Sequence, residues 1–261
     1  MHRIADGGHG ADLRLLVSVS TAEEARDAIE GGADIIDAKD PRAGALGPVS
    51  LETLAAIRLA AGPTRLLTAA LGDVQQALGP GAWGLGTART EIESLACAYA
   101  SAGAGLVKLG CAVGTVAARD GLAAAVRGAG RAGAGVVAVT YADATGPAAV
   151  TLDAVIDLAV AVGARGVLVD TANKTGPGLT SLVRIEQLAA WTARARRSGL
   201  LAAVAGSLSV DQLPAVAACG AHVVGVRGAA CEGGRLGRIT TQRVTTLVAR
   251  LRTEPSTSTR G

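Results

Sequence analysis

Eight short apolar runs recur along the chain, each followed by a helical segment: Leu13 to Val19, Asp34 to Lys39, Leu66 to Leu71, Leu106 to Leu109, Val136 to Tyr141, Val167 to Asp170, Leu201 to Ala205 and Val223 to Val226. Runs that are apolar nearly throughout belong to strands buried on both faces of a parallel sheet. Eight strands and eight helices in strict alternation predict an α/β fold, a (β/α)8 TIM barrel, as one domain over residues 13–252. Residues 1–12 are Gly-rich and aperiodic and are expected to form a flexible arm, and residues 253–261 a disordered tail. A doubly wound open sheet is the competing arrangement, but no G-x-G-x-x-G follows the first run and nothing marks a dinucleotide crevice.

Capping signals place the helices. Thr21 with Glu24 opens a helix over 22–30, Ser50 a helix to Ala61 that Gly62-Pro63 ends, Thr90 with Glu93 a helix to Ser101, and Ser209 with Gln212 a short helix ending at Gly220. Others are expected over 115–132, 151–162, 181–197 and 240–252. The glycine-studded stretch 72–87 is long for a loop in a compact α/β domain and reads as a functional lid.

Composition removes several function classes. Apolar residues make up 49% of the 261, yet there is no Phe, and Trp83, Trp191, Tyr99 and Tyr141 are the whole aromatic set. That leaves no base-stacking surface, and a net charge of +3 without a basic stripe gives no nucleic-acid footprint. The run Arg194 to Arg197 reads as the solvated end of a helix. No apolar segment approaches the roughly 18 residues that span a bilayer, and residues 1–12 lack the order of a signal peptide, so a cytoplasmic protein with no membrane partner is expected. Cys97, Cys111, Cys219 and Cys231 stand far apart, and His2, His9 and His222 have no ligand spacing, so neither disulfides nor a metal site are expected.

The cations point elsewhere. The chain has 22 arginines but only three lysines, Lys39, Lys108 and Lys174, all at the C-terminal ends of strands two, four and six. In a barrel the active site stands at those ends, and if they are about a sixth of the fold, chance places all three there roughly once in two hundred tries. An ammonium can give up its proton when desolvated or set beside another cation, and a guanidinium cannot. A lysine can therefore attack a carbonyl and form a Schiff base. Strands two, four and six share one parity, so their amines can meet in one layer, with Asp37 and Asp170 as neighbouring counter-charges. Asp37 alone would hold a proton on Lys39, so the other two ammonium groups are expected to outweigh it.

Gly206-Ser207 and Arg227-Gly228 stand where many barrels bind phosphate, although small residues there also make tight turns. Tyr141 and Asp143 read either as the rim of a site or as a hydrogen-bonded turn.

Five segments carry a resemblance: Asp37-Ala38-Lys39-Asp40-Pro41-Arg42-Ala43-Gly44-Ala45-Leu46-Gly47, Val107-Lys108-Leu109-Gly110, Val169-Asp170-Thr171-Ala172-Asn173-Lys174, Ala205-Gly206-Ser207, and Gly225 to Cys231. With them the chain resembles the (5-formylfuran-3-yl)methyl phosphate synthases over about residues 13 to 252. The resemblance implies a barrel lyase that joins two molecules of glyceraldehyde 3-phosphate into a phosphorylated furan aldehyde, with loss of phosphate and water and without a cofactor. It implies Lys39 as the Schiff-base lysine, Lys108 as proton acceptor, and Asp37, Asp170 and Lys174 as supporting groups. The furan would feed a methanofuran-type cofactor or another product. A homo-oligomer acting on a small triose phosphate is the expected form. The alternatives are another Schiff-base aldolase on a phosphosugar and a phosphosugar-binding barrel without turnover.

Overall fold

Strand β1 (Arg14–Val19) pairs in parallel with β2 (Ile35–Ala38) on one side and with β8 (Val223–Val226) on the other, so the sheet closes and has no edge. Between them run β3 (Leu67–Asp73), β4 (Leu106–Gly110), β5 (Gly135–Tyr141), β6 (Gly166–Asp170) and β7 (Leu201–Val204), in chain order around a closed barrel. The computed structural model describes residues 13–77 and 85–252. The expected arm 1–12, the expected tail 253–261 and part of the expected lid lie outside the described residues.

Helices α1 (Ala22–Glu30), α2 (Leu51–Ala61), α3 (Val74–Ala77), α4 (Leu85–Ser101), α5 (Thr115–Arg131), α6 (Leu152–Val162), α7 (Leu179–Leu182), α8 (Ile185–Arg197), α9 (Leu213–Ala217) and α10 (Thr241–Arg252) form the outer layer. Their starts follow the capping residues. The side-chain oxygens of Thr21, Ser50 and Thr151 accept from the N–H groups of Glu24, Thr53 and Ala154 at 3.0–3.2 Å, satisfying donors that a first turn leaves over. Gly163 ends α6 in the left-handed region, at φ 74°.

Two apolar layers follow from the alternation of side chains along each strand. Outward residues such as Val17, Ile36, Val107, Val169 and Val204 pack under the helices, while Leu16, Ile35, Val137, Val139, Leu168 and Val223 fill the barrel. Gly128 explains its own presence in α5: a Cβ there would run into the main chain of Glu93, so the glycine lets α4 and α5 approach closely.

Three expectations are corrected. Helix α4 begins at Leu85, so Thr90 lies inside it and not at its start, and Glu93 instead pairs across to α5 with Arg127 at 2.9 Å and with Arg131. The S/T-x-x-E spacing fits a helix interior as well as a helix start, which is why it misled. The expected lid is shorter at both ends, with Gly72 and Asp73 in β3 and α3 directly after it. The helix expected over 181–197 is two, broken at Val183, whose backbone is extended. Among the described residues no helix is long and apolar enough to cross a membrane.

Candidate active site

Ser18, Asp37 and Thr68 are cross-strand partners in β1, β2 and β3, a polar row inside an otherwise apolar barrel. Asp37 is wholly buried. Its Oδ2 accepts from Ser18 Oγ at 2.7 Å and pairs with Lys108 Nζ at 2.6 Å, and its Oδ1 accepts from Thr68 Oγ1 at 2.6 Å. These three donors replace the water that a buried carboxylate loses. A second pair stands at the end of β6. Asp170 Oδ1 accepts from Lys174 Nζ at 2.6 Å and from the Thr171 N–H at 2.7 Å. Burial pushes the Asp170 carboxyl up, but Lys174, Lys39 and these hydrogen bonds together hold it below the usual carboxylate range.

Three amines thus meet two carboxylates, and Lys39 is left over. It follows directly after β2, two residues beyond Asp37 and on the same inward side, with its N–H bonded to Val19 O at 2.9 Å. The side chain is buried, and among the described residues no carboxylate lies within 4 Å of its nitrogen. Its pKa falls from 10.5 to about 7. Loss of water is the largest cause; Asp170 and Asp37 pull the value up, and Lys108 and Lys174 push it down. Burial leads, and the other two ammonium groups act with it against the two aspartates, each of which has a lysine of its own.

This displacement has a cost that can be measured. Between pH 7 and 10.5 the unfolded chain holds a proton on Lys39 that the folded chain has released, so wild-type stability rises with pH across that window. Lys39→Met removes the buried amine. It is expected to raise the melting temperature at pH 7, by the equivalent of a few kcal/mol at about 1.4 kcal/mol per unit of displacement, with a gain that shrinks toward pH 10.5. Thermal melts of both proteins across that range check it.

A cavity of about 450 Å³ opens at this end of the barrel. Of the residues singled out from the sequence, Lys39, Lys108, Asp170, Lys174, Gly206, Ser207, Arg227 and Gly228 line it. Asp37 stands behind Lys108. Tyr141 and Asp143 do not line it: Tyr141 Oη donates to Asp73 Oδ1 at 2.6 Å, and Asp143 accepts from the N–H groups of Ala172 and Asn173 at 2.7 Å each, fixing the loop that carries Lys174. Burial raises the Asp73 carboxyl more than the Tyr141 hydroxyl lowers it. Among the described residues no cluster of three or more His, Cys, Asp or Glu is arranged to hold a metal.

Two loops face the cavity with unspent backbone donors. Gly206 has φ 122° and Ser207 φ 51°, the latter the one non-glycine in the left-handed region among the described residues. Among those residues the N–H groups of Gly206, Ser207, Gly228 and Ala229 have no protein acceptor.

Arg227 is differently employed than its position suggests. Its Nε–H donates to Arg235 O, one terminal nitrogen to Ser18 O and Glu24 Oε2, and the other to Glu24 Oε1 and Gly237 O, at 2.9–3.4 Å. All five N–H donors are used. Glu24 is itself buried, and although burial raises its carboxyl, Arg227 and the Ser20 N–H and hydroxyl bring it below the ordinary value. Arg227→Ala leaves that carboxylate unpaired, and an expected loss of about 3–5 kcal/mol in stability, read by denaturant unfolding, should precede any specific effect on substrate affinity.

Four of these residues are not evident from residue type alone. Ser18 and Thr68 interrupt apolar runs at inward positions, and that period-two mismatch is the signal that finds them. Glu24 was hidden by its role at a helix start, and Arg235 among 22 arginines.

Residues 15–248 match the family model described as 4-HFC-P synthase. The chain is 36% identical over 225 residues to the (5-formylfuran-3-yl)methyl phosphate synthase of Methanocaldococcus jannaschii, covering 84% of this chain and 91% of that one. It belongs to the (5-formylfuran-3-yl)methyl phosphate synthase family. A putative synthase of the same name from Methylorubrum extorquens is 37% identical over 219 residues, covering 84% of this chain and 83% of its own. The chain also shares its fold with a 3-hexulose-6-phosphate synthase, at TM-score 0.60, 22% identity, and coverage of 92% of this chain and 100% of the other. Family membership makes the chain an enzyme of furan phosphate synthesis.

Proposed function

We propose that this synthase condenses two molecules of glyceraldehyde 3-phosphate into (5-formylfuran-3-yl)methyl phosphate through an imine on Lys39, acting as a class-I-aldolase-like lyase without a cofactor. The observation that carries the reading is the buried, unpaired amine of Lys39 between two lysine–aspartate pairs. A free amine near pH 7 attacks a carbonyl carbon, and loss of water leaves the imine. Deprotonation of the adjacent carbon gives an enamine, which bonds to the aldehyde carbon of the second triose. Two trioses minus one orthophosphate and two waters give the composition of the furan product, so ring closure and elimination need no oxidant.

Lys108 and Asp37 move protons as a unit. The ammonium is already bonded to the carboxylate, so Lys108 can accept a substrate proton only as its own proton shifts toward Asp37. Asp170 and Lys174 do the same from the β6 side, within reach of the same cavity. The free N–H groups of Ser207 and Gly228 suit a phosphate oxygen at the far end of the substrate. A simpler aldolase or a mere binding barrel would make no furan. Incubation with glyceraldehyde 3-phosphate as sole substrate tests the reading: one orthophosphate released per furan formed supports it, and no furan from that substrate overturns it.

A further inference from the structure

Since Arg227 has no donor to spare, the charge of a phosphate in this cavity must be met by another cation. Arg235 and Arg243 also line the cavity, and neither is engaged by a carboxylate among the described residues. Arg235 comes from a hairpin that follows β8. Its two strands, β9 (Cys231–Glu232) and β10 (Arg238–Ile239), pair antiparallel, and Gly233 and Gly234, both at φ 77°, turn the chain between them. The turn brings Arg235 against the β8 loop, where a Cβ on Gly228 would lie 3.7 Å from that of Arg235. The guanidinium then reaches across to the loop after Lys39, donating to Pro41 O and, at 2.8 Å, to Gly44 O. Those two bonds use two of five donors and leave three N–H groups for a ligand, with the unspent N–H groups of Gly228 and Ala229 beside them.

We propose that Arg235, with Arg243 as a second cation lining the cavity, is the cationic part of the phosphate subsite and sets the preference for phosphorylated over unphosphorylated aldehydes. Partial burial and Arg227 lower the Arg235 pKa, while Asp170 and Asp40 raise it, which places the guanidinium within the field of the reacting groups. A planar fork fits phosphate with two parallel bonds, and the neutral backbone donors supply the rest. The inference rests on the substrate being phosphorylated, so its test is separated from turnover.

Binding of inorganic phosphate to the intact protein is measured by calorimetry for the wild type, Arg235→Gln, Arg243→Ala, and Arg250→Ala as a control outside the cavity. Glutamine at 235 retains an N–H for the Pro41 or Gly44 carbonyl, so the hairpin keeps its tie. Arg235→Gln is expected to weaken phosphate about 10- to 100-fold and Arg243→Ala about 3- to 10-fold, the range for losing a charge-assisted hydrogen bond, while the control is unchanged. Wild-type binding with an unchanged, folded Arg235→Gln overturns the assignment of Arg235 alone. A wild type that binds no phosphate overturns both this subsite and the phosphorylated substrate, whereas phosphate binding without furan formation overturns only the proposed reaction.

Discussion

Lys39→Arg is expected to abolish furan formation, a fall on the order of 10⁴- to 10⁶-fold or to background, while keeping a positive charge at the same position. The reason is the proton. The Lys39 amine stands half-deprotonated at about pH 7 because its side chain is buried without a counter-ion, and a guanidinium in the same place stays protonated under any condition the fold survives. In the wild type the rate of imine formation should rise with pH through about 7 and level off above it, since the neutral amine is the reactive form. Lys39→Met provides the folding control, being inactive yet more stable at neutral pH. An arginine variant that still made furan would show that attack by this amine is not part of the reaction.

Lys108→Ala is expected to lose roughly 10²- to 10⁴-fold in rate, the usual contribution of a positioned proton-transfer group, and yet to form the imine. Its second signature is a displaced pH profile. Lys108 helps push the proton off Lys39 and neutralises Asp37, whose carboxylate pulls the other way. With the ammonium gone, Asp37 is opposed only by the Ser18 and Thr68 hydroxyls, so Lys39 holds its proton more tightly. The midpoint of imine formation should therefore move above 7, and the free-amine fraction at neutral pH should fall. Pre-steady-state trapping at several pH values separates the two effects. A variant with wild-type rate and midpoint would remove Lys108 from the account.

The barrel was legible because burial on both faces leaves a clear pattern: each strand is a short apolar run, and helices such as α1, α2 and α6 have a capping residue at the start and a glycine at the end. Lys39, Lys108 and Lys174 were legible because arginine takes nearly every other cationic position, so lysine stands out where a removable proton is useful. Hydrogen-bond partners were much less so. Which lysine meets which aspartate depends on strand stagger, and Lys108 reaches Asp37 across β3, a relation that spacing along the chain does not contain. Arg227 shows the complementary failure. Its place after β8 suggested a ligand, but Glu24, brought over by α1 from 203 residues away, uses its charge. The arginine proposed to meet the phosphate, Arg235, stands eight residues further on, in a hairpin whose two-residue strands leave no apolar run in the sequence.

Covalent mapping tests most directly whether Lys39 carries the substrate as an imine. The wild-type enzyme is incubated with glyceraldehyde 3-phosphate, reduced with borohydride, digested and analysed by mass spectrometry. A triose-derived adduct on the peptide containing Lys39, absent from Lys39→Met and retained in Lys108→Ala and Lys174→Ala, is the expected result. An adduct on the peptide of Lys108 or Lys174, or none during active furan production, would contradict it.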